Sequence, residues 1–259
     1  MTNQWYDIES WQWTGDDSRQ WGFSTTVSGA VGYAGLYQIF TDDAYVYVAT
    51  TSGLEIISTY TEQRESLVTF PYGFTTVWAD DERVFLGTGG YGIKTINKSD
   101  IGQRELFWTL LDYVLDPFIS SNNIRYLHGN QTKLICCTDI GIDIIRRDTH
   151  YVTHTEISGA QKCFVTPTND YYYYTVSGTE YWSINRLNGN TSDWSLPDTY
   201  YTTGSGFLGD VTCLVDFYVT EHTATSGINN TLFLATDNGV YVYDEGANLY
   251  NIYTTSSGV

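Results

Sequence analysis

Positive charge is scarce in this chain. Lys and Arg number 12 against 30 Asp plus Glu, a formal net charge of −18, and only Lys94, Lys98, Lys133 and Lys162 are lysines. A surface so rich in carboxylate repels nucleic-acid phosphates and anionic lipid, so neither is an expected partner. No apolar stretch approaches the ~20 residues of a membrane span, which argues against membrane insertion. The opening MTNQWYDIESWQW lacks the basic start and apolar run of a secretory signal, so synthesis in the host cytoplasm without signal-peptide secretion is expected.

Cysteine is equally uninformative as a staple. Cys136 and Cys137 are adjacent and point to opposite faces of one strand, while Cys163 and Cys213 sit in separate apolar runs. That pattern suits free, buried thiols acting as small hydrophobes, and it matches no zinc spacing. A G-x-S-x-G elbow, a P-loop, an EF-type D-x-D-x-D-G run and a Ser/His/Asp arrangement are all missing. The glycines of residues 87–92 (GTGGYG) lie in a turn with no helix after it. No cofactor is expected, and no enzymatic activity.

What the chain has is aromatic and β-branched. Aromatic residues make up 16%, with 23 Tyr, a composition that leans to half-buried pleated strands. A short apolar run ending in Thr, a tight turn to Gly and a second run recur five times: YVYVAT-TS-GLEII from Tyr45, VFLGT-GGY-GIKTI from Val84, LICCT-DI-GIDII from Leu134, YYYYT-VS-GTEYW from Tyr171 and LFLAT-DN-GVYVY from Leu232. A third run precedes each copy (37–40, 76–79, 124–127, 162–165, 212–215) and a looser one follows (66–70, 106–111, 151–157, 192–196, 249–253). Four antiparallel strands repeated about every 40 residues imply an all-β fold, a β-propeller of five four-stranded blades, with room for a degenerate sixth.

The anchoring threonines Thr50, Thr88, Thr138, Thr175 and Thr236 are spaced by 38, 50, 37 and 61 residues. The long intervals place insertions at about 112–123 and 187–210, with a further expansion at 220–230. Residues 1–28 are expected to close the ring or pack outside it, within a single domain of 1–259. The turn glycine is expected to supply positive φ in a hairpin, most clearly at Gly239.

The copies at 45–58, 84–97, 134–148 and 232–244 resemble LVIVD-type and two-component-regulator-type propeller repeats, whose cores run from an apolar strand through a small-Thr turn to Gly-Leu-x-Ile. The resemblance covers about a third of the chain, all of it scaffold. It implies a propeller with a binding surface and brings no catalytic residue.

Five-bladed propellers also house glycosidases, whose acids project from the innermost strands. The five first-strand segments here hold no Asp or Glu; their polar members are Gln38, Arg125 and Lys162, and Asp80 and Asp216 abut turns. Asp42-Asp43 and Asp80-Asp81-Glu82 read as backbone-capping turns rather than metal or acid–base sites. On a strand, Asp148, His150, His154 and Glu156 would share one face, but a solvated outer edge is the stronger reading, and no metal is expected.

Aromatics in the rim loops give the functional lead: Tyr72, Phe74, Tyr91, Phe118, Tyr200, Tyr201 and Phe207. Such side chains suit sugar stacking or protein contact. Style and composition (Asn/Thr/Tyr/Gly-rich, no catalytic constellation) resemble virion components of tailed viruses: tail, baseplate, fibre or capsid decoration. The expected partners are other virion proteins or a host-surface glycan or protein. Asp outnumbers Glu two to one and Lys is rare, a balance resembling proteins of salt-loving hosts. A lectin-like carbohydrate-binding propeller is the alternative, and a glycosidase a second.

Overall fold

Continuous apolar runs such as VYVA and LICC need cover on both faces, and the fold supplies it by stacking sheets. The computed structural model describes residues 36–102, 111–114, 119–177, 181–187, 198–202, 214–224, 227–236, 239–244 and 249–253. Among them are five four-stranded antiparallel sheets, each a meander of strands consecutive in the chain. The first holds Leu36–Thr41 (β1), Tyr45–Thr50 (β2), Gly53–Ser58 (β3) and Arg64–Thr69 (β4). The second holds Thr76–Ala79 (β5), Arg83–Gly87 (β6), Ile93–Asn97 (β7) and Leu111–Val114 (β8). Ile124–Gly129 (β9), Lys133–Thr138 (β10), Gly141–Arg146 (β11) and Val152–Glu156 (β12) form the third. Ala160–Val165 (β13), Tyr171–Ser177 (β14), Tyr181–Leu187 (β15) and Asp198–Thr202 (β16) form the fourth, and Leu214–Ala224 (β17), Gly227–Thr236 (β18), Gly239–Asp244 (β19) and Leu249–Tyr253 (β20) the fifth.

Alternation along the second strands β6, β10 and β14 divides their side chains between two apolar slabs. Val84 and Leu86 pack with Tyr47, Leu54 and Ile56 of the first sheet, whereas Phe85 packs with Leu127, Leu134 and Cys136 of the third. Ile135 and Cys137 then turn to Cys163, Tyr171 and Tyr173 of the fourth sheet. Tyr172 faces the other way, to Phe217, Leu232 and Leu234 of the fifth. The Tyr-rich fourth copy thus obeys the same rule with larger side chains. Cys136, Cys137 and Cys163 are free and buried, as their surroundings in the sequence suggest; Cys213 lies outside the described residues.

The threonine that ends the second strand closes the turn with its hydroxyl. Thr138 Oγ1 accepts the Ile140 and Gly141 N–H groups at 3.2 and 3.0 Å and donates to the Gly141 carbonyl at 3.2 Å. Thr50, Thr88 and Thr236 donate to the carbonyls of Gly53, Gly92 and Gly239 in the same way. Gly53 and Gly239 have φ of 146° and 120°, as expected. Gly141 serves differently: a Cβ there would collide with the Thr155 carbonyl oxygen on β12.

Several boundaries differ from expectation. The fourth strand of the second sheet is Leu111–Val114, reaching into the segment read as an insertion at 112–123; of the expected 106–111, residues 106–110 lie outside the described residues. That of the fourth sheet is Asp198–Thr202, not 192–196, which lies outside the described residues. Both misplaced strands are short and lack an alternating apolar pattern. The fifth sheet opens with the 11-residue Leu214–Ala224, so Asp216 and Glu221 do lie on a first strand. The expansion at 220–230 is a lengthened hairpin whose pairing runs out to Ala224↔Gly227, while β19 joins only from Thr231. Residues 1–28 lie outside the described residues.

Polar groups stitch neighbouring sheets at both ends of the first strands. Gln38 Oε1 accepts the Val77 N–H at 3.0 Å and the Thr76 hydroxyl, and Thr76 Oγ1 in turn accepts the Leu127 N–H at 2.9 Å. Arg125 donates to the Ala160 carbonyl at 3.0 Å. At the turn between first and second strands, Asp42 Oδ1 accepts the Ala44 and Tyr45 N–H groups, both at 2.8 Å, and Asp80 Oδ1 accepts those of Glu82 and Arg83 at 2.7 and 2.6 Å. The second oxygen of each reaches a neighbouring unit: Asp42 pairs with Lys98, just after β7, and Asp80 with Arg147, just after β11. Burial pushes the Asp42 carboxyl up, but Lys98 and the turn N–H groups outweigh it and hold it below the usual carboxylate range.

His128 on β9 is part of this stitching. Its ring stacks on Phe164 at 3.7 Å, and its Nδ1 accepts the Val165 N–H at 3.3 Å, which requires the neutral imidazole. Burial pushes its pKa down to about 3. The unfolded chain therefore binds this proton first, so the stability contribution is present above the unfolded value near pH 6.5 and is lost as pH falls from there toward 3. Denaturant unfolding between pH 7 and 4 should show stability falling by up to roughly 1 kcal/mol per pH unit from this group. The slope should flatten by that amount in His128→Phe; an identical slope in wild type and variant would contradict the assignment.

Candidate functional site

The end of the sheets that carries the Thr–Gly turns also carries the loops between consecutive sheets. In the loop from β4 to β5, Phe70-Pro71-Tyr72-Gly73-Phe74, Gly73 has φ of 65° and its Cα side lies against the Thr50 and Thr51 carbonyls, where a side chain would not fit. The Phe74 N–H donates to the Thr50 carbonyl at 2.9 Å. This turns Phe74 inward, to 0% exposure in the slab between the first two sheets. Phe74 was expected among the exposed rim aromatics; it is a core residue, directed there by the tight approach at Gly73.

Above it lies a stack. Phe70 is parallel to Phe74 at 5.0 Å and presents its ring to Tyr72 and Tyr91, each at 5.9 Å in edge contact. Tyr72 and Tyr91 stack on each other at 4.3 Å and 24°, and are 60% and 39% exposed. The neighbouring Tyr72 hydroxyl raises the Tyr91 hydroxyl above its ordinary pKa. The turn beneath Tyr91 is held by Thr88, whose Oγ1 accepts the Tyr91 N–H at 2.9 Å. Two residues 19 apart in the chain thus form one platform.

Other expected members do not join it. Tyr200 and Tyr201 belong to strand β16 rather than a loop. Phe118 and Phe207 lie outside the described residues. Phe70, which underlies the platform, was missed; its cue was the aromatic alternation Phe70, Tyr72, Phe74 continuing past the strand end.

The segment of His150 and His154 assembles differently from the one-face arrangement. Asp148 and His150 precede β12, with His150 at φ of 56°, and Asp148 pairs with Arg146 at 2.7 Å. His154 Nδ1 instead meets Oδ1 of the wholly buried Asp143 at 2.7 Å. Asp143 Oδ2 accepts the backbone N–H and the hydroxyl of Ser120, both at 2.8 Å, and Ser120 Oγ lies 3.0 Å from Thr138 Oγ1. Ser and His here both bond the carboxylate, so the serine is not aimed at the imidazole as a nucleophile would be. Among the described residues, no group of three or more His, Cys, Asp or Glu is arranged to hold a metal ion.

No family model matches the sequence, and no curated protein matches it. Among solved structures, the chain is similar to the extracellular domain of the one-component system BT4673 from B. thetaiotaomicron, with a TM-score of 0.57 and 14% identity over 85% of this chain and 29% of that one. A second structure, of the extracellular domain of the hybrid two-component system BT4673, gives 0.57 and 15% over the same shares. The fold is β-propeller-like. Hydrazine synthase from Kuenenia stuttgartiensis shares it at a TM-score of 0.53 and 8% identity, over 86% of this chain and 70% of that one. The chain spans 29% of the length of the sensor domains it matches, and likeness at such identities concerns the fold alone.

Core and rim aromatics should separate cleanly in stability. Phe74→Ala empties a slab position and should cost about 3–5 kcal/mol, whereas Tyr91→Ala should stay within about 1 kcal/mol. Equilibrium urea unfolding measures both; equal losses would mean that Tyr91 is structural.

Proposed function

We propose that this chain is a non-enzymatic interaction module, a five-bladed β-propeller that binds a surface glycan through the Tyr72–Tyr91 platform. The observation that carries this reading is the exposed tyrosine stack held rigid from beneath by Phe70 and Phe74. Aromatic faces take the apolar faces of sugar rings, and a pair already ordered loses little side-chain entropy on binding. The net charge of −18 favours neutral over acidic sugars. Five consecutive meanders packed in chain order support the propeller, as does the likeness to sensor domains described as extracellular. The further assignment to a tailed-virus particle of a salt-loving host rests on composition alone.

A glycan array should show binding to neutral glycans that falls at least about tenfold in Tyr72→Ala and Tyr91→Ala. Absence of binding at high protein concentration, or binding that survives the double substitution, would sink the reading. Mass spectrometry of purified particles tests the virion assignment, and absence of the protein from them would end it.

A further inference from the structure

The geometry points to Asp143 and Ser120 as positioning residues for Tyr91, acting from the neighbouring sheet; this rests on the platform reading above for its relevance to binding, but not for its physics. A buried carboxylate is costly unless its oxygens are met by donors. Asp143, at 0% exposure in the middle of β11, is met by His154 from the adjacent strand and, through two bonds, by Ser120. Ser120 belongs to the loop of residues 119–123 that leads into β9. The corresponding acid of the first sheet, Glu55, pairs instead with Arg64 on its own sheet, at 3.4 Å.

That loop carries the connection across to the second sheet. The Asn122 carbonyl accepts the N–H groups of Gly90 and Gly92 at 3.0 and 2.9 Å, one on each side of Tyr91. The Ile124 N–H donates to the Thr88 carbonyl at 2.8 Å, and Gly89 bridges to Asn123. A side chain at Gly90 would meet open space, and φ there is 114°. The loop's hydrogen bonds act with the Thr88 hydroxyl and the ring contacts to Phe70 and Tyr72 to set where Tyr91 stands. The ends of the loop have their own anchors, buried Ile119 and the Thr75 hydroxyl on the Ile124 carbonyl at 2.6 Å. Loss of the Asp143 bonds should loosen the middle of the loop without releasing it.

Amide hydrogen exchange read by NMR tests this with no ligand present. In Ser120→Ala and Asp143→Asn, the Gly90 and Gly92 amides should exchange about fivefold faster, the equivalent of roughly 1 kcal/mol for a weakened bond. The Phe74 amide, bonded to Thr50 in the other half of the aromatic cluster, should keep its rate. Unchanged rates at Gly90 and Gly92, or an equal increase at Phe74, would overturn the proposal. Should Asp143→Asn fail to fold, Ser120→Ala decides alone, because it retains the buried charge and two of its three bonds, to His154 and to the residue 120 N–H. A wild type that binds no glycan defeats the platform reading and leaves this result standing; unchanged exchange defeats this one whatever binding does.

Discussion

A strand that is apolar on both faces cannot be satisfied by one neighbour. The second strands β6, β10 and β14 have that property, and the rest of the architecture follows from it. Leu134 and Cys136 require the sheet before, Ile135 and Cys137 the sheet after, so four-stranded units are drawn into a row with a slab of side chains between each pair. With the slabs in place, first strands approach one another closely enough for Gln38, Thr76, Arg125 and His128 to bond across. Polar residues in those positions are therefore joints of the scaffold.

The same closeness explains what was legible in advance. The repeat was plain because the Thr–turn–Gly unit is a local device: a hydroxyl, two N–H groups and a carbonyl within four residues, with no distant partner needed. Two outer strands, Thr76–Ala79 and Leu249–Tyr253, were found to the residue, and most of the rest within a residue or two at each end. Leu111–Val114 and Asp198–Thr202 were displaced because outer strands have one dry face at most, and their composition says little.

The site was half legible. Tyr72 and Tyr91 stand out as loop aromatics, but nothing local announces that they stack, since their meeting depends on the turn of one sheet facing the loop of another. Phe74 resembles them in sequence and ends in the core because of Gly73, a backbone constraint one residue away. The Asp143 network was invisible for a similar reason. Ser120, Thr138, Asp143 and His154 come from four separate stretches, and His154 looked instead like a member of the charged run beside it.

The long hairpin of the fifth sheet has a consequence of another kind. From Glu221 to Asn230, among the described residues, β17 and β18 pair with each other alone, because β19 starts at a later rung. Beyond that rung, no third strand of the fifth sheet joins the ribbon among the described residues. An open backbone edge is a template for a further strand, read by backbone register rather than by side chains. Such an edge would select by hydrogen-bond register, whereas the tyrosine platform of the proposed function would select by chemistry.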